Sequence, residues 1–208
     1  MIPTIVQRGL PRLPENSLVG IMAAAKSGAS VVHFDIRQLK DRHWVVHHDA
    51  YTGRTLLPTD NDEVSVRLLG DMELDDYLSF RHVDPMTELV TQFEPATLQD
   101  SLKLLRRILP DGVNVNIEIK DSGYTLDSLR TANDMAQYYL GVGRYFFTSV
   151  DFSTLELMRA ANPTVYLGLI QKPNADSVDQ LRSEINSTTD ILERRALEAN
   201  LSFITAYS

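Results

Sequence analysis

Short runs of β-forming residues alternate with segments of helical hydrophobic period along most of this 208-residue chain, and that alternation restricts its fold more than any other feature. Runs suited to strands occupy residues 4–7, 31–37, 43–48, 113–119, 145–150, 165–170 and 202–207. Between them, residues 17–27 begin at a cap-type serine, carry Leu18, Ile21, Met22 and Ala25 at helical spacing, and stop at Gly28. Similar segments are 97–109, ended by Pro110-Asp111-Gly112, 126–140, ended by Gly141, and 153–161, ended by Asn162-Pro163. A further helix or helix pair spans 177–200. Such a chain folds as a parallel sheet or barrel with helices outside. A length of 208 residues suits one domain and lies near the low end for a (β/α)₈ barrel.

Residues 50–94 break the rhythm, with one short acidic helix near 74–80 and little other periodicity. An irregular stretch of that length is usually functional or mobile. It reads as an insertion over one mouth of the barrel, or equally as a surface excursion that touches no ligand.

Composition removes several classes. A formal charge of −8 without a Lys/Arg-rich block excludes a nucleic-acid surface, which needs clustered cations to displace counterions. A small anionic substrate stays open if the site supplies its own cations. The chain has no cysteine, which excludes disulfides and thiolate metal sites. Residues 1–9 lack the pattern of a signal peptide, and no apolar run is long enough to span a bilayer. The expectation is a soluble protein, cytoplasmic by default.

Two strands carry unusual faces. In residues 31–36, Val32, Phe34 and Ile36 share one side and His33 and Asp35 the other. In residues 113–120, Val113, Val115, Ile117 and Ile119 oppose Asn114, Asn116, Glu118 and Lys120. Alone, each would read as a strand with one wet side on an antiparallel sheet. Flanking helical segments favour the other arrangement, with the apolar face under helices and the polar face lining the barrel interior or mouth, where barrel enzymes place their chemistry.

The motifs along the chain resemble the glycerophosphodiester phosphodiesterase family, of the phosphatidylinositol phospholipase C-like barrel type. Gln7-Arg8-Gly9 stands where the family has His-Arg-Gly, and Pro14-Glu15-Asn16-Ser17 where it has Pro-Glu-Asn-Thr. Next come Gly28-Ala29, His33-Phe34-Asp35 for a Glu-x-Asp strand, Leu39-Lys40-Asp41, Val45-Val46-His47-His48-Asp49 and Arg54-Thr55. A Pro-x-Leu helix start at residues 95–98 and Ile117-Glu118-Ile119-Lys120 complete the series. The resemblance implies a TIM-type (β/α) barrel over residues 1–208. The chain ends just after its seventh strand run, so the eighth strand and helix are expected to be lacking or modified: either a partner or second copy covers the open edge, the terminal segment closes it differently, or the chain is a truncated form.

By the same resemblance, Asp35 and Glu118 fall on metal-binding carboxylates, with magnesium or calcium as the cation. His48 falls on one of two acid/base histidines, Arg8 and Lys120 on cationic positions near the phosphoryl group, and Glu15 and Asn16 brace the first loop and cap its helix. In the family's scheme a substrate hydroxyl attacks phosphorus, one histidine takes its proton and the other protonates the leaving group. Here Gln7 occupies the position of the second catalytic histidine, and an amide cannot shuttle protons near pH 7. His33 occupies the position of a metal-binding Glu, which shifts the metal preference towards manganese, iron or zinc. Two functions follow. One is metal-assisted hydrolysis of a glycerophosphodiester, or another small phosphate ester, to glycerol phosphate and an alcohol. The other is a catalytically degenerate protein that binds a phosphorylated ligand or serves as a structural module.

Overall fold

The computed structural model describes residues 4–59 and 66–171. The chain divides into a unit of residues 1–168 and a second of residues 169–208. Every site residue named above lies in the first.

The elements in order are β1 (Ile5–Gln7), α1 (Leu18–Ala25), β2 (Val31–Gln38), β3 (Trp44–Val46), β4 (Leu56–Pro58), a 3₁₀ turn at Leu69–Asp71 and α2 (Leu74–Leu78). They continue with β5 (Phe80–His82), α3 (Leu98–Ile108), β6 (Asn114–Ile119), α4 (Leu126–Leu140), β7 (Tyr145–Ser149), α5 (Phe152–Ala161) and β8 (Tyr166–Leu169). The main sheet runs β1-β2-β6-β7-β8, with parallel pairing in β1–β2, β2–β6 and β6–β7. Among the described residues it does not close on itself. The expected strand at 202–207, the helix at 177–200 and any cover over an open edge lie outside the described residues.

Four helices start where a side chain caps them. Ser17, Thr97, Thr125 and Asp151 each accept a hydrogen bond from the backbone N–H three residues on. Each such cap contributes about 1 kcal/mol. The apolar faces of β2 and β6 then pack under the helices. Val32, Phe34, Ile36, Val115, Ile117 and Ile119 form one core with Ile21 of α1, Leu102 and Leu105 of α3, Leu129 and Ala132 of α4 and Met158 of α5. The opposite face of β2 is buried as well, so His33 and Asp35 point into the protein rather than into water.

One expected strand differs in kind. Within residues 43–48 the strand is β3 (Trp44–Val46), which pairs antiparallel with the end of β2, Ile36 opposite Val46. Only residues 39–43 separate the two, too few for a parallel crossover, so the chain reverses in a hairpin, with Arg42 at φ 69°.

The described residues within 50–94 are also more ordered than their weak periodicity suggested. β4 and β5 pair antiparallel, and Leu56, Leu69, Met72, Tyr77 and Phe80 form a second small core with Leu39 and Val45. The Tyr77 hydroxyl donates to the Val46 carbonyl at 3.2 Å, which ties this core to β3. Two histidines sit at its border. The His47 Nε2–H donates to the Tyr51 carbonyl at 3.3 Å, and the ring stands edge-on to Tyr77. His82 is buried, and neither of its ring nitrogens has a hydrogen-bond partner among the described residues.

Burial pulls both rings down, to about 4 in each case; the Tyr51 carbonyl offsets this only partly at His47, and at His82 the neighbouring His47 adds to it. In the unfolded chain the rings protonate near the ordinary histidine value of about 6.5. The unfolded state therefore binds protons first as pH falls, and the fold weakens between about 6.5 and 4, each ring contributing on the order of 3 kcal/mol. Above that window the effect vanishes. Urea midpoints are expected to fall steeply from pH 7 to pH 4.5, and His82→Leu is expected to flatten the decline and raise stability at pH 5. An unchanged pH profile in His82→Leu would contradict this account.

Candidate functional site

The parallel register builds the site in two rows. Gln7, His33 and Asn116 are aligned in one, and Asp35, Glu118 and Thr148 in the next. Side chains at matching positions of parallel strands share a face, so the polar groups of β2 and β6 meet at the C-terminal end of the sheet. One ligand atom from each of His33, Asp35 and Glu118 lies within 4.8 Å of the others.

Asp35 is the centre. Its side chain has no solvent exposure, and the Arg8 Nε lies 3.0 Å from Oδ2 and the Lys120 Nζ 3.1 Å from Oδ1. Asn16 adds two bonds, donating from Nδ2 to Asp35 Oδ2 at 2.8 Å and accepting from the Asp35 backbone N–H at 3.1 Å. Glu118 meets Lys120 through Oε1, and its Oε2 lies 3.0 Å from His33 Nε2. Burial raises the Glu118 carboxyl, but the His33 bond and the Lys120 charge outweigh it and hold the group below the usual carboxylate range. An ionised carboxylate only accepts, so the shared proton belongs to His33 Nε2. Two buried carboxylates thus face two permanent cations, Arg8 and Lys120, and the cluster carries no surplus negative charge.

Local backbone delivers these groups. Arg8 and Asn16 both adopt left-handed conformations, φ 56° and 55°, and are joined by the Asn16 N–H donating to the Arg8 carbonyl at 2.8 Å. Between them, Gly9 at φ 107° lies against Gly20 so closely that a Cβ would sit 2.9 Å from the Gly20 Cα. The loop after β1 is therefore pressed on the first turn of α1. Asn16 does not cap that helix, as its place before Ser17 suggested; Ser17 caps it, and Asn16 turns to Asp35.

His48 follows β3, beside the end of β2, because the His47 N–H donates to the Asp35 carbonyl at 3.0 Å and Arg37 Nε donates to the His48 carbonyl at 2.8 Å. Its ring bonds Asp49 rather than the three-residue cluster. Gln7 ends β1 and, with Arg8, Glu15, Arg54 and Val83, lines a cleft of about 710 Å³. Sequence reasoning brought Arg8, His33, Asp35, Glu118 and Lys120 to one place but gave Asn16 only the bracing of its loop and the capping of its helix, and gave no role to Arg54. Their only advance signal was membership of the Pro-Glu-Asn-Ser and Arg-Thr motifs.

Comparison with known proteins converges on one family. Residues 8–200 match the Glycerophosphoryl diester phosphodiesterase family. A Rattus norvegicus protein, glycerophosphocholine phosphodiesterase GPCPD1, is 26% identical over 229 residues, which cover 96% of this chain and 34% of that protein. The chain thus spans about a third of the length of the curated relatives it matches. The structure of an Oleispira antarctica phosphodiesterase in complex with the product sn-glycerol-3-phosphate superposes with a TM-score of 0.69 at 19% identity, covering 95% of this chain and 81% of that one. A glycerophosphodiester phosphodiesterase from Agrobacterium tumefaciens str. C58 gives 0.66 at 20% identity, with coverages of 80% and 66%. No helix among the described residues is long and apolar enough to cross a membrane. On the profile match and the shared architecture, the chain belongs to the glycerophosphoryl diester phosphodiesterase family and has its TIM-type barrel fold, the sheet being open among the described residues.

Proposed function

We propose that this site binds the phosphate of a glycerophosphodiester and hydrolyses the ester, with help from a divalent cation, to glycerol phosphate and an alcohol. The observation that carries the reading is the convergence of Asp35 and Glu118 with Arg8 and Lys120 at the end of the parallel sheet. Arg8 presents a planar fork suited to two phosphate oxygens, and Lys120 a point charge. His33, Asp35 and Glu118 offer one nitrogen and two oxygen donors within 4.8 Å of one another, a set that fits manganese or zinc better than magnesium or calcium. A cation held there supplies charge stabilisation for the phosphoryl oxygens. His48 follows the β2–β3 hairpin, and its imidazole exchanges a proton with the attacking or departing oxygen. Gln7 hydrogen-bonds the phosphate without moving a proton.

A second reading, a degenerate protein that binds a phosphorylated ligand without turning it over, has its own support. Lys120 and Arg8 already neutralise both carboxylates, so a cation must compete with groups of the chain itself. An assay of glycerophosphocholine hydrolysis with different metals, paired with calorimetric titration of sn-glycerol 3-phosphate, separates the two. The hydrolytic reading expects turnover with manganese or zinc and little with magnesium or calcium. Binding of the phosphate ester with no turnover under any metal establishes the degenerate reading instead.

Restoring both side chains is a stronger test. Gln7→His combined with His33→Glu is expected to raise the rate by on the order of 10²-fold and shift the preference to magnesium or calcium. Each single change is expected to recover less, because the proton and the cation act on the same transition state. Equal rates in wild type and double variant, with the same metal preference, would sink the assignment of these two positions.

A further inference from the structure

A chain of hydrogen bonds outside the ionic cluster ends on His48. Its Nδ1 lies 2.6 Å from Asp49 Oδ1, and the other oxygen of Asp49 accepts from Arg54 Nε at 2.6 Å. The two terminal nitrogens of the same guanidinium hold Glu15, Nη2 on Oε1 at 2.6 Å and Nη1 on Oε2 at 3.1 Å. One planar group thus joins two carboxylates, one edge on each, and fixes them in a common geometry. The members come from three places in the chain: Glu15 from the loop that also carries Arg8, His48 and Asp49 from the end of the β2–β3 hairpin, and Arg54 from the segment before β4.

Two features separate this arrangement from ordinary surface pairing. Arg54 is half exposed, so its ion pairs add little stability. Their consequence is directional. Asp49 stays ionised, because although burial raises its carboxyl, the bonds from Arg54 and His48 outweigh that and hold it well below the usual range. An ionised carboxylate accepts only, so in the neutral ring the proton must sit on Nδ1, which leaves the Nε2 lone pair facing away from Asp49. Arg37 holds the His48 backbone from the other side through its carbonyl.

We propose that Asp49, held by Arg54 and Glu15, is the positioning group for His48: it fixes the proton on Nδ1 and makes Nε2 the atom that exchanges protons with the phosphodiester. The inference rests on the reading of His48 as the proton-transfer group. Arg54 then has a second consequence. Because Glu15 shares its loop with Arg8, the same guanidinium sets the phosphate-binding arginine and the imidazole in one frame.

The test uses the whole chain labelled with nitrogen-15, with ring resonances assigned by comparison with His48→Gln. At pH 8 the His48 ring is expected to be mainly the Nδ1–H tautomer. Asp49→Asn is expected to shift it towards Nε2–H, since an amide can donate to Nδ1; Arg54→Gln shifts it part of the way, and Arg54→Lys less. Thermal midpoints of the three variants should stay within a few degrees of wild type. In the manganese-supported hydrolysis of glycerophosphocholine, kcat of Asp49→Asn is expected to fall by on the order of 10²-fold with little change in KM. A wild-type ring that is mainly Nε2–H, or a tautomer ratio unaffected by Asp49→Asn, overturns the proposal. So does a rate loss that merely follows loss of fold. If the wild type hydrolyses nothing, the phosphodiesterase reading fails, and the ring spectra alone decide whether Asp49 sets the tautomer.

Discussion

A carboxylate with no access to water must have its charge and its lone pairs met by the protein, at a cost of several kcal/mol if they are not. Asp35 is such a group, and the donors that meet it come from separate parts of the chain: Arg8 after β1, Asn16 before α1 and Lys120 after β6. Each can reach Asp35 only if β1, β2 and β6 are neighbours in that order and the loop after β1 folds back on α1. The two left-handed residues of that loop, Arg8 and Asn16, show the same demand. Such conformations cost about 1 kcal/mol or more and persist where the surroundings over-determine them. Here the surroundings are the buried ion pair and the contact between Gly9 and Gly20.

Much of this was legible in the residues because strand periodicity is a local property. Val32, Phe34 and Ile36 against His33 and Asp35 already separate a helix-facing side from a polar side, and β6 repeats the pattern with Ile117 and Ile119 against Asn116 and Glu118. Helix starts at Ser17 and Thr97 were legible for the same reason, since a cap acts over three residues. What escaped was non-local. Asn16 looks like a capping residue until its neighbour Ser17 takes the cap and the loop carries Asn16 to Asp35, 19 positions away. Arg54 gains meaning only when Glu15, 39 positions earlier, is brought to its fork. Residues 50–94 hid their small core because its members, Leu56, Leu69, Met72, Tyr77 and Phe80, follow neither period of a regular element.

The histidine at residue 33 is felt through its neighbours. A glutamate there would place a third negative charge beside Asp35 and Glu118, and the two cations could not neutralise all three. With histidine the count closes: Lys120 bridges both carboxylates, and the His33 N–H takes the remaining oxygen of Glu118. The cluster is then a buried network whose charges are met within the chain.

The ionic cluster and the hydrogen-bonded chain ending on His48 therefore rest on two different supports. The ionic cluster is buried and anchored in the central strands, whereas His48, Asp49 and Arg54 sit partly in solvent. What keeps the second in register with the first is the short β2–β3 hairpin. The His47 N–H is bonded to the carbonyl of Asp35, and Arg37, two residues along the same strand, holds the His48 carbonyl with its Nε while Nη1 pairs with Asp121 next to Lys120. The His48 backbone is thus held beside the ionic cluster by bonds that neither Gln7 nor His33 makes. The frame that joins the two networks is carried by other residues, Arg37 above all.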